Sequence, residues 1–283
     1  MSLWILFASI SAFSESLKAL LHRKIMLSED PVVYALVENI LAALIFLIFI
    51  SSFSLPKENS AWLLITLSSA LWLSISILSQ YSYKYTKVTI QEPLKQTRLL
   101  WVLLLSIIFL HELLTRQKIL GTLLICCGLA YLSYDKKKKF GSLKEKGVLF
   151  TLATAFLFAL VTIVDKAALK YFNPETYGFL VYLFPGLALI LINSRKSQLK
   201  KLSSLWKNKF WFVGLVALSS FSYYYFKLKA LQLADTSLVF PLIRSASILT
   251  ILGGIIFLKE KEQLSKKLLS SAIVFVGVLC LVL

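Results

Sequence analysis

Apolar stretches close to twenty residues long alternate with short polar tracts from one end of the chain to the other. They fall roughly at 3–22, 32–53, 61–82, 88–110 and 118–134. After the charged tract DKKKKFGSLKEK at 135–146, five more follow at 147–169, 176–193, 210–231, 236–258 and 265–283. A helix needs about twenty residues to cross the hydrocarbon core of a bilayer. Lipid offers the backbone no hydrogen-bond partner, so such a segment folds as helix. The pattern predicts an all-α membrane protein of ten transmembrane helices with no soluble domain of any size. The least marked boundary is YSYKYTK, between the third and fourth spans.

The ten spans divide into two related fives, predicted here as repeats over 1–138 and 139–283. IIFLHE at 107–112 aligns without a gap to IIFLKE at 255–260, and Pro93 precedes Glu112 by the same nineteen residues that separate Pro241 from Glu260. Upstream, SAFSES parallels TAFLFA, and Asp30-Pro31 with Tyr34 parallels Asn173-Pro174 with Tyr177. The offset is 143 residues there and 148 later, so five extra residues fall in the basic loop around KSQLKKLSSLWKNK. Five is odd, so the second unit must enter the membrane in the opposite sense to the first. Inverted repeats of this kind place a site between the repeats, near the bilayer midplane.

Composition narrows the field. With 58% hydrophobic residues and a mean hydropathy of +0.78, the chain carries more apolar surface than a soluble protein of this length hides. The net charge of +17 sits mostly in short tracts between spans, such as KKKK at 136–139, which suits anionic lipid better than nucleic acid. Cys126, Cys127 and Cys280 lie in apolar segments without metal-ligand spacing, and there are only two histidines, His22 and His111. No metal, cofactor or disulfide framework is expected. Neither is an enzyme, since no nucleophile with a base and no nucleotide-binding loop is visible. The opening segment holds Glu15 and Lys18 and no small-residue cleavage site, so it reads as the first membrane helix rather than a signal peptide.

Charged residues inside the spans point to a site. In QEPLKQTRLLWVLLLSIIFLHE, at 91–112, Glu92, Lys95 and Arg98 fall three apart, close to one face of a helix. Two readings stand. Either Pro93 opens the helix and the charges face a wet cavity, or the span begins near Thr97 and they sit at the interface. Similar stripes occur elsewhere: Ser11, Glu15 and Lys18; Tyr34 and Glu38; Trp72, Ser76, Ser79 and Tyr83; Ser219, Tyr223 and Lys227. Arg244 follows Pro241 by three residues, two positions away from the counterpart of Arg98. Tyr223 and its neighbours also fit as interfacial anchors, and Lys227 as a snorkelling lysine. The expected substrate-binding set is thus Glu15, Lys18, Glu38, Trp72, Ser76 and Glu92, with Lys95, Arg98, Tyr223, Lys227 and Arg244. Its excess of cations favours a solute bearing a carboxylate or phosphate. The carboxylates would hold an ammonium group, pair with the bases, or carry a coupling proton.

The Pro, apolar stretch, terminal Glu and Gly-bearing following span, as in EPLKQTRLLWVLLLSIIFLHELLTRQKILGTLLICCGLAYL and FPLIRSASILTILGGIIFLKE, resemble the drug/metabolite transporter superfamily and its EamA-type ten-helix members. The resemblance implies export of amino acids, drugs or other metabolites, or exchange of phosphorylated or nucleotide sugars. Two departures stand out: His111 and Lys259 occupy the place of a common Gly, and Glu92 stands where an apolar residue is usual. Together these observations predict a secondary active transporter of an amino acid or other anionic or zwitterionic solute. It would work by alternating access in a cell inner membrane. Its partners would be the solute, the lipid bilayer and, as a hypothesis, protons. The alternative is a lipid head-group flippase or other lipid-handling protein. Twenty loop Lys and Arg residues fall on one side of the membrane and five on the other. The positive-inside rule then puts both termini outside, whereas the resemblance implies cytoplasmic termini.

Overall fold

The computed structural model describes residues 2–26, 28–86, 91, 94–95, 97–113, 115–133, 146–192, 196–246 and 248–250, with isolated positions at 252–253, 269, 272–273, 276–277 and 280. Among these the fold is all-helical. The helices are α1 (Leu3–Met26), α2 (Pro31–Phe46), α3 (Asn59–Tyr85), α4 (Thr97–Leu110), α5 (Arg116–Ser133), α6 (Lys146–Ala168), α7 (Pro174–Ile192), α8 (Lys196–Leu233) and α9 (Thr236–Ser245). A 3-10 turn, Leu47–Ser52, extends α2. Nine helices are therefore described where ten spans were expected, the last span lying largely outside the described residues. Five are long and apolar enough to cross a membrane: α1, α2 with its 3-10 extension, α3, α6 and α7. Within α8 the backbone leaves helical geometry at Lys209, which separates the basic loop sequence from the apolar stretch after it.

Local chemistry sets the helix ends. Asp30 caps α2, its carboxylate accepting from the amides of Val32 (3.0 Å) and Val33 (3.4 Å), while Pro31 supplies a first helical residue that needs no donor. The second repeat uses the same device, with Asn173 Oδ1 accepting from the Thr176 amide at 2.9 Å ahead of α7. At the end of α4, His111 adopts a φ of 53°, the left-handed conformation in which glycine carries no side-chain penalty. The departure from the resembled motif is therefore a locally strained one. His111→Gly is expected to raise the thermal midpoint in detergent by about 1–2 °C, a small gain because glycine also loosens the unfolded chain. A lowered midpoint would show that the imidazole holds the turn.

Helix packing relates the two repeats by a two-fold exchange. α1 packs on α8 as α6 packs on α3, and α1 packs on α9 as α6 packs on α4. α2 against α8 matches α7 against α3, while the pairs α2–α7 and α4–α9 map onto themselves. A two-fold axis exchanging the repeats therefore passes through those two pairs. At the first of them the Phe46 ring packs on the α7 backbone: a Cβ on Gly178 would collide with that ring, so only glycine lets α7 seat against Phe46.

The ends of α1 and α3 meet the start of α6, where Arg23 donates to the Tyr83 carbonyl and Gly147 lies against Thr86. Lys24, Lys84, Lys146 and Lys209 fall at this end, called the basic end below, and the opposite end, which holds the start of α1, is called the terminal end.

Candidate functional site

The third helix shows how the site arises from sequence periodicity. Trp72, Ser76, Ser79 and Tyr83 recur every three or four residues, so all four side chains of α3 point the same way, and all four line one pocket. α1 contributes Glu15, Lys18 and His22, and α2 contributes Glu38 and Asn39. Lys95 precedes α4 and Arg98 lies in its first turn, while Arg244 comes from α9. Phe158, Tyr182 and Tyr223 supply aromatic walls. The pocket is open at its mouth, and the centres of water-sized molecules can occupy about 50 Å3 of it. Its residues run from the middle of the helices toward the basic end, for His22 ends α1, Tyr83 ends α3 and Lys95 stands ahead of α4.

Two carboxylates organise the cations. Glu15 Oε1 receives Arg244 Nη1 at 2.5 Å and Arg98 Nη1 at 3.5 Å, so one acid from the first helix joins one arginine from each repeat. Arg98 also lies over the Phe158 ring, its Cζ 4.4 Å from the centroid. Glu38 is bound more densely. Lys18 Nζ lies at 3.0 Å and His22 Nε2 at 3.3 Å, and Ser220 Oγ and Gln80 Nε2 donate at 2.6 and 3.0 Å. That acid ties α1, α2, α3 and α8 together. Lys95 Nζ donates to the Tyr83 hydroxyl at 2.9 Å and lies over its ring. Among the described lining residues, four fixed cations (Lys18, Lys95, Arg98, Arg244) face two carboxylates (Glu15, Glu38). Two further donors face the pocket: buried Trp72 Nε1 and Tyr223 Oη make no hydrogen bond among the described residues.

Nine of the eleven side chains expected from the sequence thus converge on this pocket: Glu15, Lys18, Glu38, Trp72, Ser76, Lys95, Arg98, Tyr223 and Arg244. Lys95 and Arg98 are buried in the bundle rather than splayed toward head groups. Tyr223 is likewise interior and not an interfacial anchor. Glu92 lies outside the described residues.

Lys227 is the exception. It neither lines the pocket nor snorkels. It is wholly buried and its Nζ meets Asp165 Oδ2 at 2.9 Å, both side chains being 0% exposed. Asp165 Oδ1 also accepts from Tyr177 Oη (2.9 Å), Tyr224 Oη (3.0 Å) and Ser68 Oγ (3.3 Å). Lys227 Nζ additionally reaches Thr162 Oγ1 at 3.3 Å. This cluster lies on the terminal side of the pocket, since Asp165 is in the last turn of α6 and Tyr177 in the first turn of α7. The sequence reading missed Asp165 and His22 because each stands beside a basic residue at a helix end, where a charge reads as loop. One signal was available: they are 143 residues apart, the offset that relates the first helices of the two repeats.

At the terminal end itself, Glu112 caps α9. Its Oε1 accepts from the Thr236 amide (2.8 Å), and its Oε2 from the Ser237 amide (3.0 Å) and hydroxyl (2.6 Å). A carboxylate at a helix N-terminus is favoured by the helix dipole. Lys118 pairs with Asp235 at 2.6 Å beside it, and Lys166 Nζ donates to the carbonyls of Leu231 and Ala234.

Residues 2–134 and 145–283 each match the EamA-like transporter family. A solved crystal structure superimposes with a TM-score of 0.69 over 98% of this chain and 95% of the other, at 15% identity, a likeness of fold alone. No curated protein matches the chain in sequence.

Proposed function

The chain belongs to the EamA-like transporter family, and on that premise we propose that this membrane transporter of small solutes is a secondary carrier for an organic anion or zwitterion, such as an amino acid. It works by alternating access across a cell inner membrane, through ten spans arranged as two inverted units. The observation that carries the reading is the electrostatics of the central pocket. Among the described lining residues four fixed cations outnumber two carboxylates, and Trp72 and Tyr223 add donors that seek an acceptor. A carboxylate or phosphate entering there exchanges water for guanidinium and ammonium groups, and those charge-assisted contacts are the strong ones. Once a solute anion takes its place between the arginines, Glu15 can accept an ammonium group on the same solute, or a coupling proton.

Uptake into proteoliposomes, measured against a panel of amino acids and phosphorylated sugars, tests the proposal. Saturable uptake of an anionic or zwitterionic solute, weakened by Arg98→Ala, is the expected result. Scrambling of a labelled anionic lipid with no solute uptake would instead establish the lipid-handling alternative. Proton coupling is tested separately: uptake indifferent both to a pH gradient and to Glu→Gln at Glu15, Glu38 and Glu92 would remove it.

Orientation follows from the loop charges. With the basic end in the cytoplasm, the pocket as seen reaches inward. A reporter fused at Leu283 is then expected to report the outer face. A cytoplasmic signal would reverse the orientation and make the same pocket outward-reaching.

A further inference from the structure

The two-fold relation between the repeats assigns a counterpart to every pocket residue. Subtracting or adding 143 for the first two helices of each unit and 148 thereafter, Ala19 maps to Thr162, His22 to Asp165, Ser76 to Tyr224 and Ser79 to Lys227. The mapping holds in three dimensions. Tyr34 and Tyr177 are counterparts, and each touches the counterpart of what the other touches: the Tyr34 ring packs edge-on to His22 with centroids 5.4 Å apart, and the Tyr177 hydroxyl donates to Asp165.

The four pocket residues border an open space, whereas their counterparts are sealed. Thr162, Asp165, Tyr224 and Lys227 are each 0% exposed and bonded to one another. Removing two charges from water costs several kcal/mol per ion before their attraction is counted, and apolar residues of similar size often serve stability as well. Folding alone therefore gives little reason to keep an aspartate and a lysine here. An inverted repeat gives a better one. When the two halves exchange conformations, whatever lines the pocket in one state is replaced by its counterpart in the other.

Building on the carrier reading above, we infer that the Asp165–Lys227 cluster is the closed form of a second vestibule, through which the solute passes on the terminal side in the opposite-facing state. In that state the pair parts and hydrates, Thr162 and Tyr224 line the opening, and Lys227 offers an anionic solute a cation between the outer layer and the central pocket. The Glu112 cap on α9, with the Lys118–Asp235 and Lys166 contacts, forms an outer layer that must also release.

Thiol labelling tests this without knowledge of the solute. Cys126, Cys127 and Cys280 are replaced by serine, and single cysteines are placed by Ala19→Cys or Thr162→Cys. A membrane-impermeant sulfonated maleimide is then applied to either face of oriented proteoliposomes. Ala19→Cys is expected to react from the basic side and Thr162→Cys from the terminal side. Adding Asp165→Asn with Lys227→Met to each should raise the Thr162→Cys rate at least tenfold and lower that of Ala19→Cys, as the population shifts. If Ala19→Cys reacts from the basic side while Thr162→Cys stays inert in both backgrounds, the cluster is static structure and the inference is overturned, although the carrier reading survives. If Ala19→Cys is itself inert, the central pocket is not an aqueous site and both readings fall.

Discussion

Asp165→Ala is expected to destabilise the protein by about 3–5 kcal/mol, the range for stranding one partner of a buried ion pair. The Lys227 ammonium would keep Thr162 Oγ1 as its remaining hydrogen-bond acceptor among the described residues, in a site with no exposure. Three hydroxyl donors, from Ser68, Tyr177 and Tyr224, would lose their shared acceptor together. Unfolding followed by circular dichroism in detergent, or by loss of monodisperse protein on heating, measures this. The informative comparison is Asp165→Asn with Lys227→Met, which removes both charges, keeps an acceptor for the hydroxyls and preserves volume. That variant should recover most of the lost stability but not the uptake rate. If it transports as well as the unaltered protein, the pair is dispensable to the transport cycle.

The second large effect concerns the two arginines. Arg98→Ala and Arg244→Ala are each expected to lower the uptake kcat/KM between about tenfold and a hundredfold, the loss of one hydrogen-bonded charge contact of about 1.5–3 kcal/mol. The double variant should cost less than the product of the two single losses. Both guanidiniums draw on the same Glu15 oxygen, so removing one lets the acid neutralise the other more fully. A double-mutant cycle on uptake reads the coupling directly. Losses that multiply cleanly would mean that the arginines act independently and that Glu15 does not mediate between them.

The uneven legibility of this chain has physical causes. Span positions followed from runs of apolar residues because lipid permits few alternatives to helix, and α1, α2 with its 3-10 extension, α3, α6 and α7 begin and end within a few residues of the expected places. The stripe Trp72, Ser76, Ser79 and Tyr83 was readable because helical periodicity alone puts those side chains on one face. Which stripes meet was not readable. Ser219, Tyr223 and Lys227 share a face of α8, yet Tyr223 borders the pocket and Lys227, one turn further along, lies beyond its floor against Asp165. Periodicity fixes the direction of a side chain around a helix, whereas depth along the bundle depends on how neighbouring helices slide and tilt. Arg244 illustrates the opposite case. It is two residues out of register with Arg98, but α4 packs on α9, and two long side chains bridge a rise of about 3 Å to the same oxygen.

Glu15 acts as a resident counter-ion. On the carrier reading proposed above, an arriving anion does not find bare guanidiniums; it must displace an acid already seated between them, and the free energy of binding is the difference between two similar sets of contacts. Such an exchange keeps affinity modest by construction, and a carrier that has to surrender its cargo on the far side of the membrane needs that weakness. On the same reading, filling the site also releases the tie that Glu15 makes between α1 and the arginines of α4 and α9.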